Sequence, residues 1–253
     1  MDLTDIETCY DAVPRPVATV EEVGPFTLFV ADPRTGWQLY ARPRLGAARE
    51  VTADDVRRVL ARQAELGVPR ALEWVDEVTP SLLPAVRAAV PGPHELELCP
   101  LLVLPDGAEP PGSAATTRVL TADDPDLPLV VGAVSAGFGG RDAVVARDPG
   151  LRAELIARGL LVVVAAYDGS GALVGGGSAA PRGDTAELTG IAVIPSARRR
   201  GLGAATTAAL VRACRASGVR RVFLSAASDD AGAVYQALGF ERRGRACILG
   251  VAD

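Results

Sequence analysis

The sequence has 253 residues, of which 49% are hydrophobic, and it carries a net charge of −5. A chain of this length can bury a sizeable core and suits either one large domain or two domains of ordinary size. The acidic balance argues against general binding of nucleic acids or of anionic membranes.

The cysteines and the histidine exclude two kinds of site. The four cysteines, Cys9, Cys99, Cys214 and Cys247, are scattered, and His94 is the single histidine. No metal-ligand spacing and no histidine-based triad can be built from this set, so we expect no metal. The N-terminal residues lack the apolar run of a signal peptide, and no apolar stretch is long enough to span a bilayer. We therefore expect a cytoplasmic protein that makes no membrane contact.

Predicted elements divide the chain into two halves. The first half predicts a hairpin over 24–43, a helix from Thr52 to Gly67, a strand over 70–77, a short helix over 80–89 and a strand over 94–104. A stretch rich in proline, glycine, alanine and serine follows and indicates a linker. We predict an N-terminal domain over 1–107, a linker over 108–116 and a C-terminal domain over 117–253.

The second half repeats this alternation of strands and helices. Helices are predicted over 127–140 and 149–159, a hairpin over 160–180, a strand over 186–194, a helix over 201–218, a strand over 220–227, a helix over 231–239 and a last strand over 240–250. The predicted fold class is α/β, with two units in tandem and a mixed β-sheet flanked by helices.

The turn "RRRGLG", residues 198–203, lies between the strand that ends at Ile194 and the helix that starts near Leu202. The first amides of a helix have no internal partner and carry the positive end of its dipole, so they favour an anion. Glycines let a diphosphate approach that backbone, and arginines add charged donors. The stretch lacks the ending of a P-loop and the three glycines of a dinucleotide fingerprint. The alternative is a solvated run of charge at an ordinary helix start.

The same six residues match the R/Q-x-x-G-x-G/A motif that binds the pyrophosphate of acetyl-coenzyme A in the GNAT acetyltransferase superfamily. The resemblance extends from about residue 117 to the C-terminus and includes "ELTGIAVIPSARRRGLG" and "AVYQALGFERRG". It implies two GNAT-like domains in tandem. The N-terminal half resembles a degenerate unit without a cofactor site, because "ARPRLGAAREVTADD" has one glycine and places acidic residues where they would repel a diphosphate.

The resemblance implies a set of residues that bind acetyl-CoA as cosubstrate. In its central strand, Ile191 N–H would polarise the thioester carbonyl, and Gly190 would ease a bulge that opens the strand pair. Ser228 stands where the family often carries an asparagine. The implied set is Ile191, Ala192, Val193, Arg198, Arg199, Arg200, Gly201, Leu202, Gly203, Ala204 and Ser228.

Two residues stand where the family carries proton-transfer groups. Tyr235 is placed to protonate the leaving thiolate, and its alternative role is an aromatic core residue beside Phe240. Glu187 has the position of a general base. Other family members deprotonate the amine through water and backbone carbonyls, so for Glu187 a solvated strand-edge acid is the alternative.

These residues predict an N-acetyltransferase that moves the acetyl group of acetyl-CoA to a primary amine by direct attack in a ternary complex. The expected partner is a small-molecule or peptide amine, and a homodimer is possible. The alternative is a non-catalytic acyl-CoA-binding regulatory module. Such a module would need neither Tyr235 nor Glu187, so the presence of both favours the enzyme.

Overall fold

The computed structural model describes residues 1–47, 50–92, 94–112 and 115–251. The helices are α1 (Leu3–Ala12), α2 (Ala53–Glu65), α3 (Leu82–Ala89), α4 (Leu127–Phe138), α5 (Arg152–Ala157), α6 (Leu202–Ala216) and α7 (Asp229–Gln236). The strands are β1 (Ala18–Val23), β2 (Phe26–Ala31), β3 (Arg42–Pro43), β4 (Arg70–Val75), β5 (Glu95–Leu104), β6 (Thr116–Val119), β7 (Val162–Tyr167), β8 (Leu173–Arg182), β9 (Thr185–Val193), β10 (Arg221–Ser225) and β11 (Glu241–Val251).

Most predicted elements occur where the sequence places them, and three elements were not predicted. These are α1, β1 and β6. The predicted hairpin over 24–43 is partly right, because β2 pairs antiparallel with β3 but also pairs along its whole length with β1. The result is a three-stranded antiparallel sheet.

The chain divides into two compact units. Unit 1 contains Met1–Leu102, Ser225–Gly232 and the chain from Arg242, and unit 2 contains Val103–Leu224 and Ala233–Glu241. The predicted boundaries at 107 and 117 stay a prediction, and part of the predicted linker lies outside the described residues. Neither unit is continuous in sequence.

Unit 1 is completed by the last strand of the described chain. β11 pairs antiparallel with β4, from Ala246 opposite Val75 to Val251 opposite Arg70. Its core packs Trp74 of β4 and Cys247 of β11 against residues of β2, α2 and α3. α2 begins as predicted at the cap Thr52, whose side chain accepts the Asp55 amide while the Asp55 carboxylate accepts the Thr52 amide.

Unit 2 is built on strands in the order β10-β9-β8-β7-β6. β10 and β9 run parallel, and the pairs from β9 to β6 are antiparallel. A mixed sheet of this kind, contacted by α4 and α6, confirms the predicted α/β class. Every helix of the described residues is too short or too polar to cross a membrane.

Two glycines of β8 show how α4 and α6 cover this sheet. A Cβ at Gly176 would lie 2.3 Å from Val130 of α4, whereas a Cβ at Gly177 would lie 3.2 Å from Thr206 of α6. Because successive residues of a strand face opposite sides, the two helices lie on opposite faces of β8. The missing side chains let both helices approach the strand closely.

A carboxyl group is buried in unit 1. Glu7 of α1 is 3% exposed, and its Oε1 accepts the Val75 amide at 2.6 Å. Burial raises the pKa of Glu7 to about 7, and this effect outweighs the attraction of Arg42. A carboxyl that binds its proton more tightly in the folded chain favours folding at low pH and disfavours it at high pH.

We expect Glu7→Gln to gain stability relative to wild type as the pH rises. Below pH 4.5 both side chains are neutral and the unfolding free energies should be similar. Between the unfolded pKa near 4.5 and the folded pKa of about 7, wild type loses the contribution of its bound proton. The difference should reach about 3 kcal/mol at pH 8, measured by urea unfolding at several pH values. The control is Glu50→Gln, which removes an exposed carboxylate. A pH-independent difference between wild type and Glu7→Gln would contradict this prediction.

Candidate active site

The central strand of unit 2 separates from its parallel neighbour halfway along its length. β10 pairs with β9 at Thr185, Ala186 and Glu187. β9 continues for six more residues, to Val193, and there its described strand partner is β8 alone. The edge of β9 that faces away from β8 therefore has backbone groups available to an added extended chain.

A bulge bends β9 where the two strands part. Gly176 of β8 faces Ala192 and Ser178 faces Thr189, so one residue of β8 lies opposite two residues of β9, Gly190 and Ile191. Gly190 has a φ of +60°, a left-handed conformation that a glycine adopts without strain. The predicted bulge at Gly190 is confirmed. An extra residue of this type increases the twist of its strand and turns it away from its partner.

The turn after β9 presents the start of α6. A short 3₁₀ helix, Pro195–Ala197, leads into Arg199, which has a φ of +60°, and into Gly201, which has a φ of +76° and caps α6 without a side-chain hydrogen bond. The amide of Ala205 donates to the Gly201 carbonyl at 2.9 Å. The amides of Leu202, Gly203 and Ala204 precede that bond, so they have no carbonyl partner within the helix.

The three arginines of the turn differ in what they contact. The Arg198 guanidinium donates to the carbonyl oxygens of Val193, at 3.1 Å, and of Gly137 in α4, at 2.7 Å. Arg199 and Arg200 are exposed on the turn. Arg198 therefore joins the end of β9 to the end of α4, while its two neighbours extend from the surface beside the start of α6.

Two carboxylates adjoin the turn. Asp142 accepts the Ser196 amide at 2.7 Å, and this hydrogen bond lowers the pKa of Asp142. Hydrogen bonds from Ser170 lower the pKa of Asp168, and the charge of Arg200 adds a smaller effect in the same direction. Hydrogen bonds between side chains and backbone groups hold the turn in place. Its three arginines outnumber the two carboxylates that adjoin it.

The predicted proton-transfer residues both lie in unit 2. Glu187 is half-buried and occupies the last paired position of β9 before the opening. Tyr235 of α7 is half-buried and packs edge-on against Phe240, with ring centroids 6.0 Å apart. Burial raises the pKa of Tyr235, so its phenol keeps its proton at neutral pH. The contact with Phe240 is the alternative role that the sequence offered for Tyr235. Its role as a proton donor stays a prediction.

The structure gives Ser228 a local contact. Its Oγ accepts the Ala231 amide at 3.2 Å, and its carbonyl accepts the Gly232 amide at 2.8 Å, so Ser228 caps the start of α7. Ser228 belongs to unit 1. Its predicted contact with a cofactor stays a prediction.

The sequence reasoning missed the small residues that support the opening. A Cβ at Gly137 would lie 3.0 Å from the Ala192 side chain, and a Cβ at Gly175 would lie 2.5 Å from the Ala192 carbonyl oxygen. These glycines allow α4 and β8 to pack closely against the second half of β9. The run of three glycines inside a predicted strand is a signal that could have identified this close approach.

A family model matches part of the second half of the chain. The model of the acetyltransferase (GNAT) family matches residues 141–240. This range includes the opening of β9, the arginine turn, α6 and Tyr235. No curated protein matches the chain by sequence.

Solved structures with similar folds include GNAT proteins. A GCN5-related N-acetyltransferase from Kribbella flavida has a TM-score of 0.75 and 20% identity, covering 99% of this chain and 96% of that one. A putative acetyltransferase of the GNAT family from Novosphingobium aromaticivorans has a TM-score of 0.55 and 19% identity, covering 94% and 93%. A tandem GNAT protein from the clavulanic acid biosynthesis pathway has a TM-score of 0.53 and 18% identity, covering 90% and 79%.

At these identities the likeness shows the fold, and it confirms the predicted tandem GNAT-like architecture. The degenerate character of the N-terminal half stays a prediction. Because the family model covers the strand, the turn and the helix described above, residues 141–240 are similar in sequence to the acetyltransferase (GNAT) family.

Proposed function

We propose that this protein transfers the acetyl group of acetyl-CoA to a primary amine by direct attack in a ternary complex. The observation that carries the proposal is the early end of the β9–β10 pairing, beside the uncapped start of α6. An open strand edge and an exposed helix N-terminus suit the two parts of coenzyme A, its extended pantetheine arm and its diphosphate.

The diphosphate would lie against the amides of Leu202, Gly203 and Ala204. A Cβ at Gly203 would meet no atom within 4 Å, which leaves open space beside that backbone. Each contact with the helix dipole is worth about 0.3–1 kcal/mol, so several contacts must converge. Arg199 and Arg200 would supply charged donors to the phosphate oxygens, while Arg198 holds the turn through its bonds to Val193 and Gly137.

The pantetheine arm would pair with the open edge of β9 as an added strand. The family resemblance assigns the contact with the thioester carbonyl to the Ile191 N–H. A backbone donor aimed at this oxygen stabilises the negative charge that develops when the amine attacks. Ile191 lies in the bulge beside Gly190, where β9 departs from regular pairing.

The reaction forms one C–N bond and breaks one C–S bond. A neutral amine attacks the thioester carbon, the tetrahedral intermediate collapses, and the coenzyme leaves as a thiolate. Tyr235 would give its phenolic proton to the sulfur, and Glu187, or water and backbone carbonyls, would take the proton from the amine. An alkylamine with a pKa near that of lysine, about 10.4, is mostly protonated at neutral pH and must lose a proton first.

We expect Arg199→Gly and Arg200→Ser each to weaken the binding of coenzyme A by about tenfold in calorimetry, since each removes a charged donor. Glycine at 199 keeps the positive φ and separates the loss of the side chain from a change of backbone. The control is Arg212→Ser, which removes the same charge ten residues after Leu202, about 15 Å from the start of α6. Absence of coenzyme A binding by wild type would refute the proposed function. If both variants bind coenzyme A as tightly as wild type, the two arginines do not contribute to the site.

We expect Tyr235→Phe to lower kcat by about 10²–10³, because the leaving thiolate loses its proton donor. The KM for acetyl-CoA should change little. The assay is the release of free thiol from acetyl-CoA over a panel of primary amines. The control is Tyr167→Phe, which removes a hydroxyl that donates to Asp126 in the same unit. An unchanged kcat would show that Tyr235 is not the proton donor and that its role is to pack against Phe240. Coenzyme binding without turnover on any amine would favour the non-catalytic regulatory module.

We expect Glu187→Gln to lower kcat/KM by about 10² at pH 7, because the amine loses its base. The deficit should shrink toward pH 10, where a large fraction of the amine is already neutral. The measurement is the pH profile of kcat/KM for both proteins with one amine. A constant ratio near one at all pH values would assign deprotonation to water and backbone carbonyls.

A further inference from the structure

Unit 1 contains an open groove that the proposed function does not use. Its volume is about 960 Å³. α1 contributes Thr4 and Glu7, and Pro25 comes from the turn between β1 and β2. The rest of the lining lies in the stretch from β3 to the first residue of α2 and in the stretch from Val78 into α3. The walls are mostly apolar and include Pro43, Leu45 and Pro80.

One oxygen of Glu7 has no partner in the described protein. Oε1 accepts the Val75 amide, while Oε2 is fully buried and accepts no hydrogen bond from the described residues. Leaving a buried acceptor unpaired costs about 1–3 kcal/mol, and more if it is charged. A donor that enters the groove and reaches Oε2, as the side chains covering this oxygen move aside, would remove that cost.

The charges around Glu7 show which sign such a donor should carry. Arg42, the buried guanidinium whose charge acts on Glu7, forms an ion pair with Glu73 and lies 4.1 Å from the ring centre of Tyr10. Asp11 is paired with Arg15 at 2.7 Å. Glu7 is therefore a surplus carboxyl in a region that already contains Glu73.

The other charged groups at the groove do not satisfy Glu7. Arg44, which also lines the groove, pairs with Glu22 at 2.6 Å, and Glu50 is a further carboxylate of the lining. Burial accounts for most of the rise in the pKa of Glu7 to about 7, and Glu73 and Asp11 add to it. The arginines near Glu7 are paired with other carboxylates, so a cation would suit the unpaired oxygen.

An anionic ligand fits this groove poorly. The start of α2 is closed by the reciprocal bonds of Thr52 and Asp55, and the Val51 amide donates to Ser81 Oγ at 3.0 Å. Asp54 adds a second carboxylate to the first turn of α2. This helix start therefore lacks the open amides that α6 presents.

We propose that the groove binds a small amphipathic primary amine, with its ammonium group donating to Glu7 Oε2 and its apolar body lying along the proline and leucine walls. The ammonium supplies both the missing donor and the missing charge. An apolar body suits the prolines, alanines, valines and leucine that make up most of the remaining lining. This site is built from unit 1 residues and does not rest on acetyl transfer.

The test is calorimetry of the full chain with n-hexylamine, n-hexanol and hexanoate. We expect hexylamine to bind at least tenfold more tightly than hexanol, and hexanoate not to bind. Hexylamine affinity should rise by roughly tenfold from pH 6 to pH 8, as Glu7 loses its proton and the amine stays charged. At pH 6 the binding heat should depend on the buffer, because nearly one proton is released.

Variants identify the groove. Glu7→Gln should lose this affinity and its pH dependence, whereas Glu50→Gln, which changes an exposed carboxylate of the same lining, should keep both. Ala88→Leu adds bulk at an exposed position of the lining and should weaken binding without changing Tm.

Three results would overturn the proposal: no binding of hexylamine, equal binding of hexylamine and hexanol, or hexylamine binding that survives in both Glu7→Gln and Ala88→Leu. In the last case the amine lies elsewhere, such as the acceptor site of the proposed transferase. Loss of coenzyme A binding or of thiol release would leave this test intact, because it measures only the amine.

Discussion

The architecture of unit 2 depends on how soon β10 leaves β9. The two strands share three residue pairs, and beyond Glu187 the second half of β9 pairs with β8 alone among the strands that the structure describes. A strand edge with unused amides and carbonyls inside a domain is costly unless something pairs with it. The bulge at Gly190, the glycines of β8 and the bonds of Arg198 all act on this half-strand. Together they support the extended shape of this half-strand, which has β8 as its one strand partner in the described part of the chain.

The two longest helices of the described residues, α2 and α6, begin differently. α2 starts with a reciprocal cap formed by Thr52 and Asp55, which uses up amides and adds negative charge. α6 starts at Gly201 with no side-chain cap and follows three arginines. The same backbone feature is thus neutralised in α2 and left open in α6, which is the physical reason for proposing the anion site at α6.

Features set by neighbours in sequence could be predicted. The start of α2, the bulge at Gly190 and the turn before α6 follow from capping residues and glycines, whose effect is local. The point where β10 leaves β9 could not be predicted, because pairing length is decided by contacts between distant segments. The contacts of Arg198 also could not be predicted, because three successive arginines carry the same charge. They differ in direction because Arg199 has a positive φ, which the sequence does not reveal. The buried state of Glu7 had no signal in an N-terminal segment rich in acidic residues.

The pairing of β11 with β4 has a consequence for how the chain is made. These strands are separated by more than 160 residues, and all of unit 2 lies in the chain between their paired residues, from Val75 to Ala246. On the ribosome, β4 emerges long before β11. The edge of β4 that pairs with β11 therefore stays unpaired until the end of β11 has been synthesised. A chain of this connectivity has high contact order and cannot finish its first unit before its second has emerged. Because each unit consists of more than one segment of the chain, a single cut cannot separate unit 1 from unit 2. Transient exposure of the β4 edge makes early fragments prone to aggregation.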